Sequence, residues 1–271
     1  MNNEKNGLSN QGENCIYLND VRDIYALQGK NAGCSLRLRG KVVLITFLVN
    51  DGESEWNQKS EKAAIEMLKS ACARLMSESG LGKKEFQITY ACCKVSIPRV
   101  LSRKTSKKCA IDVLRQFGYS SVQEYQRHYE EKFSRDETAV TFLFNKDFRS
   151  YAYSIDKASG TVEEEHPNGE EYSITSFDAN NITGSERTFL HELLHQFGAI
   201  DYYYPEIVKI KAEKYLPNSI MNGGETIDDL TRYVIGWDES LSDVAHEFLK
   251  SIKLVTVEDV DFARREEYTD N

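Results

Sequence analysis

Residues 183–201 read TGSERTFLHELLHQFGAID, and this stretch decides the fold. Thr183 followed three residues later by Glu186 has the spacing of a capping box, which satisfies orphan N–H groups at a helix start. Phe189, Leu190, Leu193, Leu194 and Phe197 recur at helical spacing and predict one buried face. Gly198 stands where a left-handed residue stops a helix. His191 and His195 are four apart, so their imidazoles leave the same side of the helix, one turn above the other. Two neutral imidazoles so placed can hold one zinc ion, and Glu192 can reach a water on that ion. Asp201, three residues past the glycine, is placed for a turn to swing its carboxylate back as a third ligand. His-Glu-x-x-His alone arises by chance in roughly one chain of this size in a hundred. Adding Gly198 and Asp201 lowers that to roughly a few per hundred thousand, so the pattern outweighs the plainer reading of an amphipathic helix with two solvated histidines.

The run from His191 to Asp201 resembles the extended zinc signature of the metzincin metallopeptidases, in the aspartate-ending form of the snapalysin group. Ser219-Ile220-Met221-Asn222 is similar to the methionine turn that lies beneath the metal in that clan. Some metzincins carry a tyrosine two residues after this methionine; here the position is Gly223. Tyr202, Tyr203 and Tyr204 are candidates to replace it, although a tyrosine run packed under the site is the preferred reading. The resemblance implies an α/β (α+β) zincin with a twisted, mostly parallel five-stranded sheet and an antiparallel edge strand. It also implies an active-site helix and a helical C-terminal subdomain.

The implied activity is that of a zinc-dependent endopeptidase with one catalytic ion, held by His191, His195 and Asp201. Glu192 acts as the base that helps a zinc-bound water attack the peptide bond, and Gly198 and Met221 are structural residues near the site. The implied partner is a peptide or protein substrate. Two alternatives stay open: a catalytically inactive binding protein on the same scaffold, and a zinc hydrolase acting on a non-peptide amide. His166, Glu206, Glu213 and Glu225 compete with Asp201 as third ligand, and the Gly198–Asp201 spacing favours Asp201.

Working outward, the 271 residues suit one large domain. A net charge of −9 argues against a general nucleic-acid partner, whose affinity rests on neutralising phosphates. No apolar run reaches membrane-spanning length, so no membrane is expected. The polar start, MNNEKNGLSNQGEN, lacks the apolar core of a secretory signal, which points to the cytoplasm. Six cysteines, all before residue 110 and without a CxxC pair, read as reduced thiols rather than a disulfide framework. No switch sequence surrounds Cys15 or Cys34, which argues against either as an inhibitory thiolate ligand to the zinc.

Residues 1–35 read as a loosely ordered lead-in, with a short element at 21–27. Residues 36–256 read as the metallopeptidase domain, and 257–271 as a charged tail. Residues 41–49, KVVLITFLV, have the continuous apolar, β-branched pattern of a strand covered on both faces. A helical stripe runs from Ala64 to Met76, and strands are expected at 86–95, 139–144, 151–155 and 172–177. A strand, a helix and a strand of these lengths make a parallel crossover the default.

Residues 98–136 read as a helical insertion, with helices at 109–117 and 122–133, the latter opened by a Ser121…Glu124 capping box. Residues 202–256 read as the C-terminal subdomain that carries the methionine turn. By resemblance the edge strand at 151–155 binds extended peptide, with Tyr151 and Tyr153 as candidate substrate contacts through β-augmentation. Segment 94–108 carries Lys94, Arg99, Arg103, Lys104, Lys107 and Lys108 and no acid. It reads as a solvated loop in preference to a patch that steers acidic substrates.

Overall fold

In a computed structural model, the residues described are 15–16, 37–153, 171–203, 206–252 and 255–256. The chain is α/β, built on a five-stranded sheet of order β3-β2-β4-β6-β5. Its strands are β2 (Gly40–Asn50), β3 (Phe86–Ser96), β4 (Glu137–Phe144), β5 (Tyr151–Tyr153) and β6 (Tyr172–Ser176). β2 pairs in parallel with β3 and β4, and β4 pairs in parallel with β6. β5 runs antiparallel to β6 and ends the sheet. A separate two-residue pairing joins β1 (Cys15–Ile16), from the N-terminal lead-in, to β7 (Val255–Thr256). The remaining expected element at 21–27 and the tail at 257–271 lie outside the described residues.

Strand β2 shows why a continuous apolar run makes a central strand. Val42, Leu44 and Leu48 enter the core on one face, and Val43, Ile45, Phe47 and Val49 enter the core on the other. The first face receives α1 (Gln58–Glu78), opened by an Asn57–Ser60 capping box, and α4 (Ile182–His195). The second receives α2 (Ser106–Arg115) and α3 (Val122–Phe133). These two helices therefore pack on the side of the sheet away from α4. After α4 come α5 (Glu206–Tyr215), a 3-10 turn at Ile220–Asn222, α6 (Asp229–Val234) and α7 (Asp243–Ser251). Leu38 N–H donates to the Ile235 carbonyl at 2.9 Å and Trp237 Nε1 donates to the Leu38 carbonyl at 2.8 Å, tying this C-terminal region to the start of β2. No helix among the described residues is long and apolar enough to cross a membrane.

Two helix starts differ from the sequence reading. Helix α4 is capped by Asn181, whose side chain accepts from Gly184 N–H at 3.1 Å, so Thr183 already lies inside the helix. The turn at 178–181 supplies the cap instead, with Asn180 N–H donating to Asp178 Oδ1. At α3, Ser121 accepts from Glu124 N–H, but the Glu124 carboxylate reaches back to Ser120 rather than closing the box on Ser121.

Gln196 fixes the end of α4 to the sheet. Its fully buried side chain accepts from Val140 N–H at 3.1 Å, just before β4 begins to pair with β6. Its amide nitrogen donates to Ser173 Oγ at 3.1 Å. Replacing Gln196 by Ala strands a buried backbone N–H, and we expect a loss of about 1–3 kcal/mol in urea unfolding. An unchanged unfolding midpoint would contradict this account of how the helix is held.

Candidate metal centre

Phe189, Leu190, Leu193 and Leu194 of α4 are completely buried against the first core, each worth roughly 1.5–3 kcal/mol in apolar burial. That burial sets the rotation of the helix, and His191 and His195 consequently leave its partly exposed side. The two Nε2 atoms lie 3.2 Å apart. Gly198 has φ +91°, a left-handed conformation open to glycine at little cost, and there the chain turns away from the helix. The turn brings Asp201 Oδ1 to 3.0 Å from His191 Nε2 and 3.2 Å from His195 Nε2. The structure thus brings these three groups to one point.

Each ring is oriented by a backbone carbonyl. His191 Nδ1 meets the Ile220 carbonyl at 2.9 Å, and His195 Nδ1 meets the Ala199 carbonyl at 2.7 Å. A carbonyl oxygen can only accept, so Nδ1 carries the proton and the Nε2 lone pair faces the cluster. Ile220 belongs to the 3-10 turn that includes the buried Met221, so this turn orients the first histidine through its backbone. The turn is itself pinned. Ser219 Oγ donates to Asp228 Oδ2 at 2.6 Å, while Asp228 caps α6 through Leu230 and Thr231 N–H. A Cβ at Gly224 would come within 2.3 Å of the Asn218 backbone, so this tight loop requires glycine there.

Two Nε2 lone pairs and a carboxylate oxygen at 3.0–3.2 Å repel one another unless something positive sits between them. Asp201 Oδ1 is buried and makes no well-directed hydrogen bond. A tetrahedral zinc ion with ligand bonds of about 2.0–2.1 Å separates its ligands by about 3.3 Å, so the donor set and its spacing fit that ion. With only protons to share, the same crowding appears as paired charge. Burial opposes charging His195, yet the Asp201 carboxylate outweighs it and the imidazole is pushed up to about 9. Asp201 is held well below the usual carboxylate range despite its burial, because both histidines face it.

Glu192 is 5% exposed, and its carboxylate groups with the two imidazoles, donor atoms lying within 4.8 Å of one another. Burial pushes its carboxyl upward, and the neighbouring imidazoles partly offset that. Of the competing third ligands, Glu206 lies beside Lys209 and Glu225 beside Arg187, while Glu213 stands on α5. His166 lies outside the described residues.

Glu192, His195 and Asp201 open into a cleft of about 600 Å³ that β5 also lines. The Tyr151 and Tyr153 rings pack against the second core, and Tyr153 hydroxyl meets Ser106 Oγ at 2.6 Å. They anchor the edge strand to α2 while the strand itself borders the cleft.

The tyrosine run divides. Tyr202 is buried, its ring 5.4 Å from that of Phe248 and its N–H donating to the Met221 carbonyl at 2.9 Å, as expected of packing beneath the site. Tyr203 lies in the cleft, its ring 6.2 Å from His191, and its hydroxyl bonds with Arg149 and Asp201. Burial pushes that hydroxyl up to about 12. Tyr204 lies outside the described residues. Sequence reasoning passed over Arg149, which comes from the turn before β5 and carries no motif.

Cys72, Cys92, Cys93 and Cys109 are free. Burial pushes the Cys72 thiol up to about 12 and the Cys92 thiol up to about 11, so neither offers a thiolate nucleophile. Cys34 lies outside the described residues.

No protein-family model matches the chain. No curated protein matches it either. Among solved structures it is similar to metalloproteinase-II from Bacteroides fragilis, at 13% identity over 85% of this chain and 61% of that one, with a TM-score of 0.36. It is similar also to archaemetzincin from Methanopyrus kandleri, at 10% identity over 79% of this chain and 96% of that one, with a TM-score of 0.33. OgpA from Akkermansia muciniphila matches at 12% identity over 82% of this chain and 66% of that one, with a TM-score of 0.38. The chain thus spans under two thirds of the Bacteroides and Akkermansia chains. At 10–13% identity these are distant likenesses of chain path, and what this site can do is read from its own donor atoms.

Proposed function

We propose that the chain is a zinc-dependent endopeptidase of the metzincin kind. The observation that carries the reading is the meeting of two carbonyl-oriented imidazoles and one buried carboxylate oxygen at 3.0–3.2 Å, with Glu192 beside them at an open cleft. His191, His195 and Asp201 would hold the ion. Zinc bound there supplies Lewis acidity toward a substrate carbonyl and lowers the pKa of water.

The remaining steps belong to the chain. Glu192, kept from full hydration, takes a proton from the attacking water and delivers it to the departing amine. Tyr203 offers an O–H, with the Arg149 guanidinium behind it, to the oxygen on which negative charge develops. Strand β5 offers main-chain groups to an extended peptide, which favours a peptide over an isolated amide as substrate. The buried carboxylate argues for catalysis over mere binding, because a structural metal gains nothing from a proton acceptor at its side.

The test joins metal content to cleavage mapping. Purified protein reconstituted with zinc should bind one ion per chain and cut members of a diverse peptide library. A chelator should abolish cutting and added zinc restore it. A stoichiometric zinc protein that leaves every peptide intact would sink the reading.

A further inference from the structure

Three cations line the cleft: Arg103, Lys146 and Arg149. The acids lining it are Glu192 and Asp201, both committed to the metal centre. In a chain of net charge −9 this is a local inversion of sign.

The three cations are not equally available. Lys146 Nζ is clamped by Asp51 Oδ2 at 2.7 Å and Glu53 Oε2 at 3.0 Å. Arg149 is bonded to Tyr203 and sits in the field of Asp201 and Glu192. Arg103 makes no ion pair among the described residues. The nearby cations of the acid-free segment 94–108 are partly spent as well, with Lys94 paired to Glu61 and Arg99 to Asp112.

The loop that carries Arg103 is built to stay in place. Leu101 N–H donates to the buried Asp51 carboxylate at 2.7 Å, and Ser102 N–H donates to Thr105 Oγ1 at 2.8 Å. Ser106 Oγ donates to the Arg103 carbonyl at 3.0 Å and also contacts Tyr153 hydroxyl, so the loop is fastened to the edge strand. A cation held beside that strand is preorganised for whatever lies along it.

We propose that the substrates carry an acidic side chain close to the cleaved bond, and that Arg103 receives its carboxylate. This rests on the peptidase reading and names its substrate class. The planar guanidinium suits a carboxylate through paired N–H donors, and a cation with no ion-pair partner among the described residues disfavours a lysine at the same place. Within segment 94–108 this assigns a binding role to Arg103 alone.

The test uses the zinc-loaded full chain and peptides that differ only by Glu, Gln or Lys, one position at a time, on both sides of a mapped cut. At one position kcat/KM should be about five- to tenfold higher for Glu than for Gln, and lowest for Lys. Arg103→Gln should bring the Glu:Gln ratio close to one. Lys104→Gln, which removes an exposed neighbouring charge outside the cleft lining, should keep the ratio. Cleavage with no charge discrimination, or a ratio that survives Arg103→Gln or collapses equally in Lys104→Gln, overturns this inference alone. Absence of hydrolysis for every peptide overturns the peptidase reading and this inference with it.

Discussion

Glu192→Gln is expected to lower kcat/KM by about three orders of magnitude or more while leaving one zinc per chain. The amide matches the carboxylate in shape, so the buried site repacks without a cavity. It cannot take a proton from water, and loss of a positioned general base typically costs 10²–10⁴-fold. Metal retention is the discriminating half of the result. The donors assigned to the ion are His191, His195 and Asp201, whose spacing and backbone supports do not involve Glu192. If the variant lost zinc, Glu192 would be a ligand and not a base. If it cut peptides within tenfold of the parent rate, proton transfer would belong to another group. Steady-state kinetics on one good peptide, with zinc measured on the same preparation, decides between these.

The reach of the sequence followed the range of the interactions concerned. The continuous β-branched run at 41–49 and the apolar spacing of α4 are local patterns, and they positioned the sheet centre and the histidine pair. The Gly198–Asp201 turn was equally local. Its backbone conformation returns the carboxylate to the helix within a few residues. Failures began where a local rule had two solutions. Thr183 and Asn181 both suit an N-cap, and the choice fell to Asn181, preceded by the Asp178 turn that sequence spacing does not reveal.

Groups arriving from distant segments were the hardest to read. Arg149 and Arg103 stand on loops without periodicity, and only the packing of β5 and α2 brings them to one cleft. Tyr203 was in view as one of three consecutive tyrosines. Which of them faces the cleft depends on the turn after Asp201 and on the Phe248 ring that claims Tyr202.

Asp201→Asn carries the second large effect: zinc affinity should fall by about a hundredfold or more, and hydrolysis with it. Asparagine keeps one acceptor oxygen but loses the charge that draws a cation between two imidazoles. Its amide N–H₂ can also turn toward the Nε2 lone pairs and occupy the ligand positions. A zinc-free measurement tests the same geometry independently. Folding raises the His195 imidazole from 6.5 to about 9 and lowers the Asp201 carboxyl below 3.8. The raised histidine contributes stability that is complete below its unfolded value and lost as pH rises through its folded one. The lowered carboxyl contributes stability that is complete above its unfolded value and lost as pH falls through its folded one. In chelator, the parent should therefore exceed Asp201→Asn in unfolding free energy most clearly between about pH 4 and 6.5, and the gap should narrow as pH rises through about 9. A gap that stays constant to pH 10 would mean that Asp201 stabilises the fold without facing His195. In that case the three donors would not share the point at which the ion is placed.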